Sequence, residues 1–214
     1  MTTTVRPPRQ ERSRRSTERV LTTGAELLAE KGYDGFAIAE LCRRAQVSAG
    51  ALYDRFAGKD ALILAIHDHS MQTISATGVA AYADDTAWEG LDIADLIERA
   101  IGALLEHFQA NAALLKVFVL RSAVDEEMQR RGAASVARVA DAFTARLLVR
   151  AAELPHPDPE VAIKACFAIA FESASWHVAF GAMFDPAVGT DVVGTEERLP
   201  VICRLYLLTP PAAS

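Results

Sequence analysis

A short stretch near the N-terminus, residues 46–60, holds side chains suited to contact phosphate groups. It reads QVSAGALYDRFAGKD and combines a hydroxyl, a phenol and two cations within a few helical turns. These are among the groups that contact phosphates in nucleic-acid complexes. The residues are Ser48, Tyr53, Arg55 and Lys59. The stretch therefore predicts contact with a polyanion, and an acid in its middle, Asp54, requires an explanation.

Three segments of helical apolar spacing surround this stretch. The first begins at Ser16 and ends at Gly32, the second covers 38–45, and the third begins at Ser48. About three residues separate the second from the third, which is the spacing of a helix-turn-helix. In that motif the second of the two helices enters a groove of the duplex.

The rest of the chain shows helical periodicity and no sustained strand pattern, which predicts an all-α fold with about nine helices. The helix at 159–180 is apolar nearly all round, so either its own domain or a second subunit must cover it. Pro200 is tolerable in the last helix only within the first turn. The helices are expected from about Lys59 into the seventies, at 93–110, at 114–124, from Asp125 through Leu148, at 159–180 with Asp158 as N-cap, and at 197–208.

Charge is unevenly distributed along the chain. Residues 1–60 hold 11 basic and 8 acidic side chains, whereas 61–214 hold 11 and 20. A basic N-terminal part on an acidic body indicates that one end meets a polyanion. Residues 1–15, rich in arginine and poor in apolar groups, are expected to form a flexible basic arm, which either contacts DNA or only aids solubility.

Cellular location follows from what the sequence lacks. The three cysteines are far apart and show no metal-binding spacing, which is typical of buried thiols in a reducing compartment. The N-terminus has no apolar signal-peptide core and no apolar run has the length of a membrane span. We therefore expect a cytoplasmic protein.

The segment RVLTTGAELLAEKGYDGFAIAELCRRAQVSAGALYDRFAGKDALILAI closely resembles the DNA-binding domain of the TetR family of transcriptional regulators. Several fixed spacings agree at once, and the remaining two thirds of the chain is similar only in being helical. The matching positions are Gly32-Tyr33, Ala45, Val47-Ser48, Gly50, Leu52-Tyr53, Phe56 and Lys59.

The resemblance implies a division of labour along the chain. It places a helix-turn-helix DNA-binding domain at 16–62 and a helical effector-binding and dimerisation domain at 63–214. It also implies that Ser48 begins the recognition helix near a phosphate and that Gly50 allows close approach to the duplex. Tyr53 and Lys59 are similar to the family's phosphate-binding phenol and amine.

Four residues depart from the family's pattern. Ala37 lacks the usual hydroxyl at the start of the second helix, and Ala49 and Ala51 offer only methyl contacts, for example to thymine. Asp54 stands where histidine is frequent, and two roles are open. It accepts a hydrogen bond from a cytosine amino group, or it pairs with and orients a nearby arginine, at position 55, 43 or 44; the number of arginines favours the second.

The function expected from this resemblance is a homodimeric, ligand-responsive regulator of transcription, most readily a repressor. It would bind a near-palindromic DNA operator, dimerise through its last two helices and be released by a small hydrophobic effector. The base-reading and phosphate-contacting set is Ser48, Ala49, Gly50, Ala51, Tyr53, Asp54, Arg55 and Lys59. The candidate effector-binding set is His107, Phe108, Met128, Phe171, Glu172, Trp176 and His177, for each of which simple packing is the alternative.

Two other classes of function remain to be compared. An enzyme is not expected, because no nucleophile elbow, metal-binding helix motif or phosphate-binding glycine loop is found in the sequence, and no cofactor or metal is predicted. The second is a dimeric helical ligand sensor or interaction module that has lost specific DNA binding. Ala37, Ala49 and Asp54 keep this alternative open.

Overall fold

Helices account for all the regular structure in the computed structural model, which describes residues 9–181 and 193–210. No strand is present in those ranges, so the all-α prediction is confirmed. Two short 3-10 turns, Asp85–Trp88 and Ala151–Glu153, lie between longer helices. The nine α-helices of the described ranges are α1 (Arg9–Lys31), α2 (Ile38–Ala45), α3 (Ala49–Tyr53), α4 (Lys59–Ala83), α5 (Ile93–Ala110), α6 (Ala112–Ser122), α7 (Glu126–Leu148), α8 (Pro159–Phe180) and α9 (Val193–Leu208).

Contacts divide the chain into two compact units, residues 1–72 and 73–214. The division lies ten residues beyond the boundary expected at 62. The reason is that the first turns of α4 are buried in the first unit, where Ile66 lies against Gly24 of α1. In this unit α1 packs on α2 and α2 packs on α3.

Helix α1 begins at Arg9, seven residues before the expected start at Ser16. The prediction of a flexible arm is therefore wrong for residues 9–15, and residues 1–8 of that arm lie outside the described residues. Arginine, glutamine and glutamate are good helix formers, and Glu11 pairs with Arg15 one turn later at 2.6 Å. The helix ends as expected at Gly32, whose φ of 68° is typical of a helix C-terminus.

Side-chain caps fix the start of several helices in the second unit. Asp92 accepts a hydrogen bond from the Asp95 amide, and Asp125 accepts one from Met128. Asp158 accepts one from the Val161 amide, with proline in the first turn of α8. These caps place α5, α7 and α8 where the sequence predicts them.

The second unit is a helical bundle in which α8 packs on α5, α6 and α7, and α9 packs on α5 and α8. Cys166 and Cys203 are buried within it, while Cys42 of the first unit is only half-buried. Helix α9 begins at residue 193, four residues before the expected start. Pro200 therefore lies in the second turn and not in the first. At this position it removes one backbone hydrogen-bond donor from the helix.

Membrane-spanning potential is low in the described helices. No single one of them is long and apolar enough to cross a bilayer; α5 and α6 together reach that length and composition, but the pair is bent by 88°.

Candidate functional site

The turn between α2 and α3 is built from backbone geometry and one side-chain cap. Gln46 ends α2 in the left-handed conformation, with φ 54° and ψ 48°, and its amide donates to the Cys42 carbonyl. Ser48 then caps α3, because its hydroxyl accepts a hydrogen bond of 3.1 Å from the Ala51 amide. Helix α2 itself has no side-chain cap at Ala37, as its sequence indicates.

Helix α3 buries a single large side chain and exposes the others. Leu52 is 2% exposed and anchors the helix on α2, whereas Tyr53 is 54% exposed. The face opposite Leu52 is therefore open to a partner. Its exposed residues are Ser48, Ala49, Gly50, Tyr53, Asp54 and Arg55, and Ala51 is half-buried beside them.

Lys59, at the start of α4, is held in place by the loop before α2. Its ammonium donates to the Tyr33 carbonyl at 3.1 Å and lies 4.8 Å from the centre of the Tyr33 ring. The Tyr33 hydroxyl in turn donates to Asp60 at 2.5 Å. An ammonium has three donors, so a positioned Lys59 retains donors for an anion.

The arginines of α2 are engaged with glutamates. Arg43 and Arg44 both bond Glu40, and Arg44 also bonds Glu30 at 2.8 Å. Hydrogen bonds from Arg43 and then Arg44 lower the pKa of the Glu40 carboxyl to about 2. Arg43 and Arg44 follow Glu40 by three and four positions, a spacing that predicts ion pairs on a helix. The sequence interpretation missed this network.

Asp54 does not form the expected pair with an arginine. Arg55 donates to the Ser16 hydroxyl at 3.2 Å, and the two arginines of α2 bond glutamates instead. Within residues 9–181 and 193–210, no ion pair joins Asp54 to any of these three cations. The carboxylate of Asp54 is exposed at the C-cap of α3.

The effector-binding candidates of the second unit are dispersed rather than gathered in one place. Phe108 and Phe171 meet edge to face, with ring centres 5.2 Å apart. Met128 is buried at the start of α7. Glu172 and Trp176 are exposed on α8, where Trp176 packs on Phe180 at 4.4 Å, and His177 is half-buried on the same helix.

Phe108 and Phe171 are the end of a longer row of aromatic rings. Neighbouring centres in this row are 5.2–5.9 Å apart, and its members come from the end of α4, the following turn, α5, α7 and α8. Sequence reasoning missed it as a unit, because three of its five contacts join residues 24, 61 and 63 positions apart, which meet only in the folded chain. The row runs Trp88, Tyr82, Phe143, Phe167, Phe171 and Phe108.

His107 of α5 lies beside a glycine of α4. A Cβ added at Gly78 of α4 would be 3.1 Å from His107 Nε2 and 3.1 Å from Val139 Cγ2. Glycine therefore allows α4, α5 and α7 to meet closely at this level. Burial lowers the pKa of His107, which keeps its imidazole neutral at neutral pH.

Helices α8 and α9 expose apolar side chains that a monomer would leave in water. Those of α8 recur at steps of seven and eight residues and therefore share one face. The exposed apolar residues are Val161, Ile169 and Trp176 on α8, and Val201, Ile202, Leu205 and Tyr206 on α9.

The described residues hold no group of three or more histidine, cysteine or acidic side chains arranged to bind a metal ion.

An all-α chain with this N-terminal motif falls in the class of helix-turn-helix proteins. The family model described as bacterial regulatory proteins, tetR family, matches residues 20–66, which include α2, α3 and the start of α4. Residues 20–66 are therefore similar to the part of tetR-family regulatory proteins that this model describes.

A curated relative and several solved structures are similar to the chain. The A-factor receptor protein of Streptomyces griseus is 36% identical over 66 residues, which cover 31% of this chain and 24% of that protein. The chain thus aligns with about a quarter of this relative's length.

The structural similarity covers nearly the whole chain. A candidate TetR-family transcriptional regulator from Mesorhizobium loti has a TM-score of 0.67 at 16% identity, over 92% of this chain and 96% of that one. The regulator FadR from Bacillus subtilis, in complex with stearoyl-CoA, has a TM-score of 0.59 at 14% identity, over 89% and 97%. At these identities the similarity establishes the fold.

Proposed function

We propose that this protein is a ligand-responsive repressor that binds a near-palindromic DNA operator as a dimer. The observation that supports it most is α3, which buries Leu52 and exposes every polar group of the face opposite. A helix anchored on one side and open on the other can lie in the major groove. In this proposal residues 16–62 bind DNA and residues 63–214 bind the effector and dimerise.

Phosphate contacts position the reader on the duplex. Tyr53 presents its phenol to solvent, and Lys59 is held by Tyr33 with donors to spare. The Ser48 hydroxyl already caps α3, so Ser48 contributes to phosphate contact indirectly, by holding the start of the helix in place. These contacts give affinity without sequence preference.

Base contacts come from a small set of side chains. Ala49 and Ala51 offer methyl groups, and Gly50 lets the backbone approach the base edges. Asp54 and Arg55 supply the hydrogen-bonding groups, an acceptor for cytosine and a donor for guanine. Because Asp54 is exposed and the nearby arginines bond other groups, we assign it to base reading rather than to orienting an arginine.

Dimerisation through α8 and α9 would cover their exposed apolar faces. Ile169 and Trp176 on α8 and Leu205 on α9 are each about half exposed in the single chain. Full burial of a large apolar side chain is favourable by about 1.5–3 kcal/mol, so covering the exposed half of each of these against a second copy contributes roughly half of that. A two-fold axis would then set the distance between the two α3 helices. Helices that enter successive major grooves of B-DNA are about 34–36 Å apart, or a multiple of this distance.

A small hydrophobic effector would act on the second unit. The row of aromatic rings from Trp88 to Phe108 supplies apolar side chains for contact with such an effector. We assign no catalytic role, cofactor or metal to the second unit. The FadR structure holds stearoyl-CoA, a ligand with a long apolar chain. A cytoplasmic location fits this proposal.

The alternative is a dimeric ligand sensor that no longer binds specific DNA. The exposed carboxylate of Asp54 favours it, because phosphates repel an unpaired acid at their surface. In this case the second unit still binds a ligand and dimerises, but α3 does not bind a specific DNA operator.

Selection of bound sequences from random duplex DNA by the full-length protein tests the proposal. A repressor yields a near-palindromic site whose half-sites are about one helical turn apart or a multiple of it. Recovery of no enriched sequence, from protein shown to be folded and dimeric, would favour the sensor.

A further inference from the structure

The first turns of α1 lie outside the segment that the family model matches. That match begins at residue 20, whereas α1 begins at Arg9. Residues 9–19 add about 16 Å of helix before it. Because this segment is helical, the directions of its side chains are fixed by helix geometry, which a flexible arm would not provide.

Two hydrogen bonds hold this part of α1 against the two helices of the helix-turn-helix. Arg19 Nε donates to the carbonyl of Ala45, the last residue of α2, at 2.7 Å. The Ser16 hydroxyl accepts a hydrogen bond of 3.2 Å from Arg55 Nη1, just after the end of α3. The side of α1 that carries residues 16 and 19 therefore faces the ends of α2 and α3.

Arg12 lies on that same side of α1. It precedes Ser16 by four residues, about 6 Å along the axis, and it precedes Arg19 by two turns, so that the two arginines lie within about 20° of each other around the helix. Arg12 is exposed, and it forms no hydrogen bond or ion pair within residues 9–181 and 193–210. Its guanidinium is thus open to an anion beside the end of α3.

Other arginines of the first unit have acidic partners. Arg15 bonds Glu11 at 2.6 Å, and Arg44 bonds Glu40 at 2.7 Å. A guanidinium carries five donors in a planar fork that fits the oxygens of a phosphate. Arg12 keeps all five donors for such a partner, because no acidic side chain of the described part of the chain occupies them.

We propose that α1 is a second DNA-contacting helix and that Arg12 binds a phosphate of the DNA strand beside the end of α3. The inference rests on the proposed function, in which α3 lies in the major groove. The edges of that groove are phosphate backbones, so a cation next to the end of α3 meets phosphates and not base edges. The contact would position α3 on the duplex and carry no sequence preference.

Fluorescence anisotropy of the full-length protein tests this assignment, with the selected operator and a scrambled duplex, each at about 50 and 200 mM salt. Arg12→Gln should weaken binding to both duplexes by the same factor, about fivefold at the lower salt. It should also reduce the slope of log affinity against log salt by about one, because one phosphate contact is lost. Arg12→Lys keeps the charge and should retain most of the affinity. A loss confined to the selected operator would indicate base reading and overturn the phosphate contact.

Arg14→Gln is the matched control. Arg14 is exposed and forms no ion pair among the described residues, but it points about 160° away from Arg12 around the helix. Both variants remove one charge from the same turns of α1, and glutamine is about as good a helix former as arginine. We expect Arg14→Gln to change affinity by less than about twofold and to leave the salt slope as it is. Equal effects of the two variants would show that only net charge matters and would overturn the assignment to Arg12.

The outcome is separable from that of the repressor. Binding of neither duplex by the wild-type protein would overturn both proposals. Sequence-specific binding by the wild type, with equal effects of Arg12→Gln and Arg14→Gln, would overturn only the contact by Arg12.

Discussion

Gly50 lies on the exposed face of α3 with open space around it. A Cβ added there would find its nearest neighbour, the Ser48 hydroxyl, at 4.0 Å. Nothing within the protein therefore requires glycine at this position, although glycine inside a helix is less favourable than alanine. A requirement for glycine would have to come from a partner that approaches the backbone.

Gly50→Ala should consequently separate stability from binding. We expect the free energy of unfolding to stay the same or to rise by about 0.5–1 kcal/mol, as measured by urea denaturation. Affinity for the selected DNA site should fall by about tenfold, as measured by fluorescence anisotropy, because the added methyl group lies at the contact. Undiminished affinity would show that α3 does not approach DNA at Gly50.

Asp54→Ala distinguishes the two roles of the acid. Because Arg43, Arg44 and Arg55 bond other groups, we expect the variant to lose its preference at one base pair, worth about 1–3 kcal/mol. Affinities for a set of single-base variants of the operator measure this. A uniform fall over all of them would instead support an orienting role.

At the scale of elements, α1 and α4 of the first unit meet closely at Gly24. A Cβ at Gly24 would lie 2.4 Å from Ile66 Cδ1 and 2.9 Å from its Cγ1. Since Ile66 is fully buried, its side chain has little room to move. The glycine thus sets the separation of these two helices.

Gly24→Ala should destabilise the protein by about 1–3 kcal/mol, as overpacking of a tight core does. Urea denaturation followed by circular dichroism measures it. The matched control is Gly102→Ala, on α5, where an added Cβ meets nothing within 4 Å and should stabilise the helix slightly. Equal stability of both variants would contradict this account of the contact.

The order of the helices and several of their ends could be predicted from sequence. Helices α2 and α8 have the expected bounds, and the expected cap at Asp158 is present, because both signals are local. The starts of α1 and α9 could not be predicted. The first residues of α1 are good helix formers but show no apolar periodicity, whereas α9 contains an internal proline and gains its stability from packing on α5 and α8.

The residues of the candidate DNA-binding face could also be named from sequence, because they lie within 12 positions of each other. The partners of their charges could not. Arg55 bonds Ser16, 39 positions away, and Arg138 bonds Ser75, 63 positions away. Such contacts depend on the packing of helices that are distant in sequence, which no local pattern encodes.

At the scale of the whole molecule, net charge differs in sign between the N-terminal part of the chain and the rest. The first 60 residues hold more basic than acidic side chains, and the remainder is strongly acidic. DNA would therefore attract the N-terminal part and be repelled by the rest. In the proposed function, this asymmetry would restrict DNA binding to the helix-turn-helix.

Leu205→Glu should dissociate the dimer. The side chain is 56% exposed on α9, so the substitution is tolerated in the single chain but places a charge in the proposed interface. We expect the dimer dissociation constant to rise by at least about tenfold in sedimentation experiments. Val124→Glu is the control, since Val124 is 76% exposed just after α6. Equal dissociation of both variants, or of neither, would contradict the proposed interface.

The most direct test of the central claim is the affinity of the wild-type protein for the selected DNA site and for a scrambled one, each measured at two salt concentrations. We predict a preference of about 10³-fold or more for the selected site and a steep loss of affinity between about 50 and 200 mM salt. Equal affinity for both sites, or affinity that does not change with salt, would contradict a sequence-specific DNA-binding function.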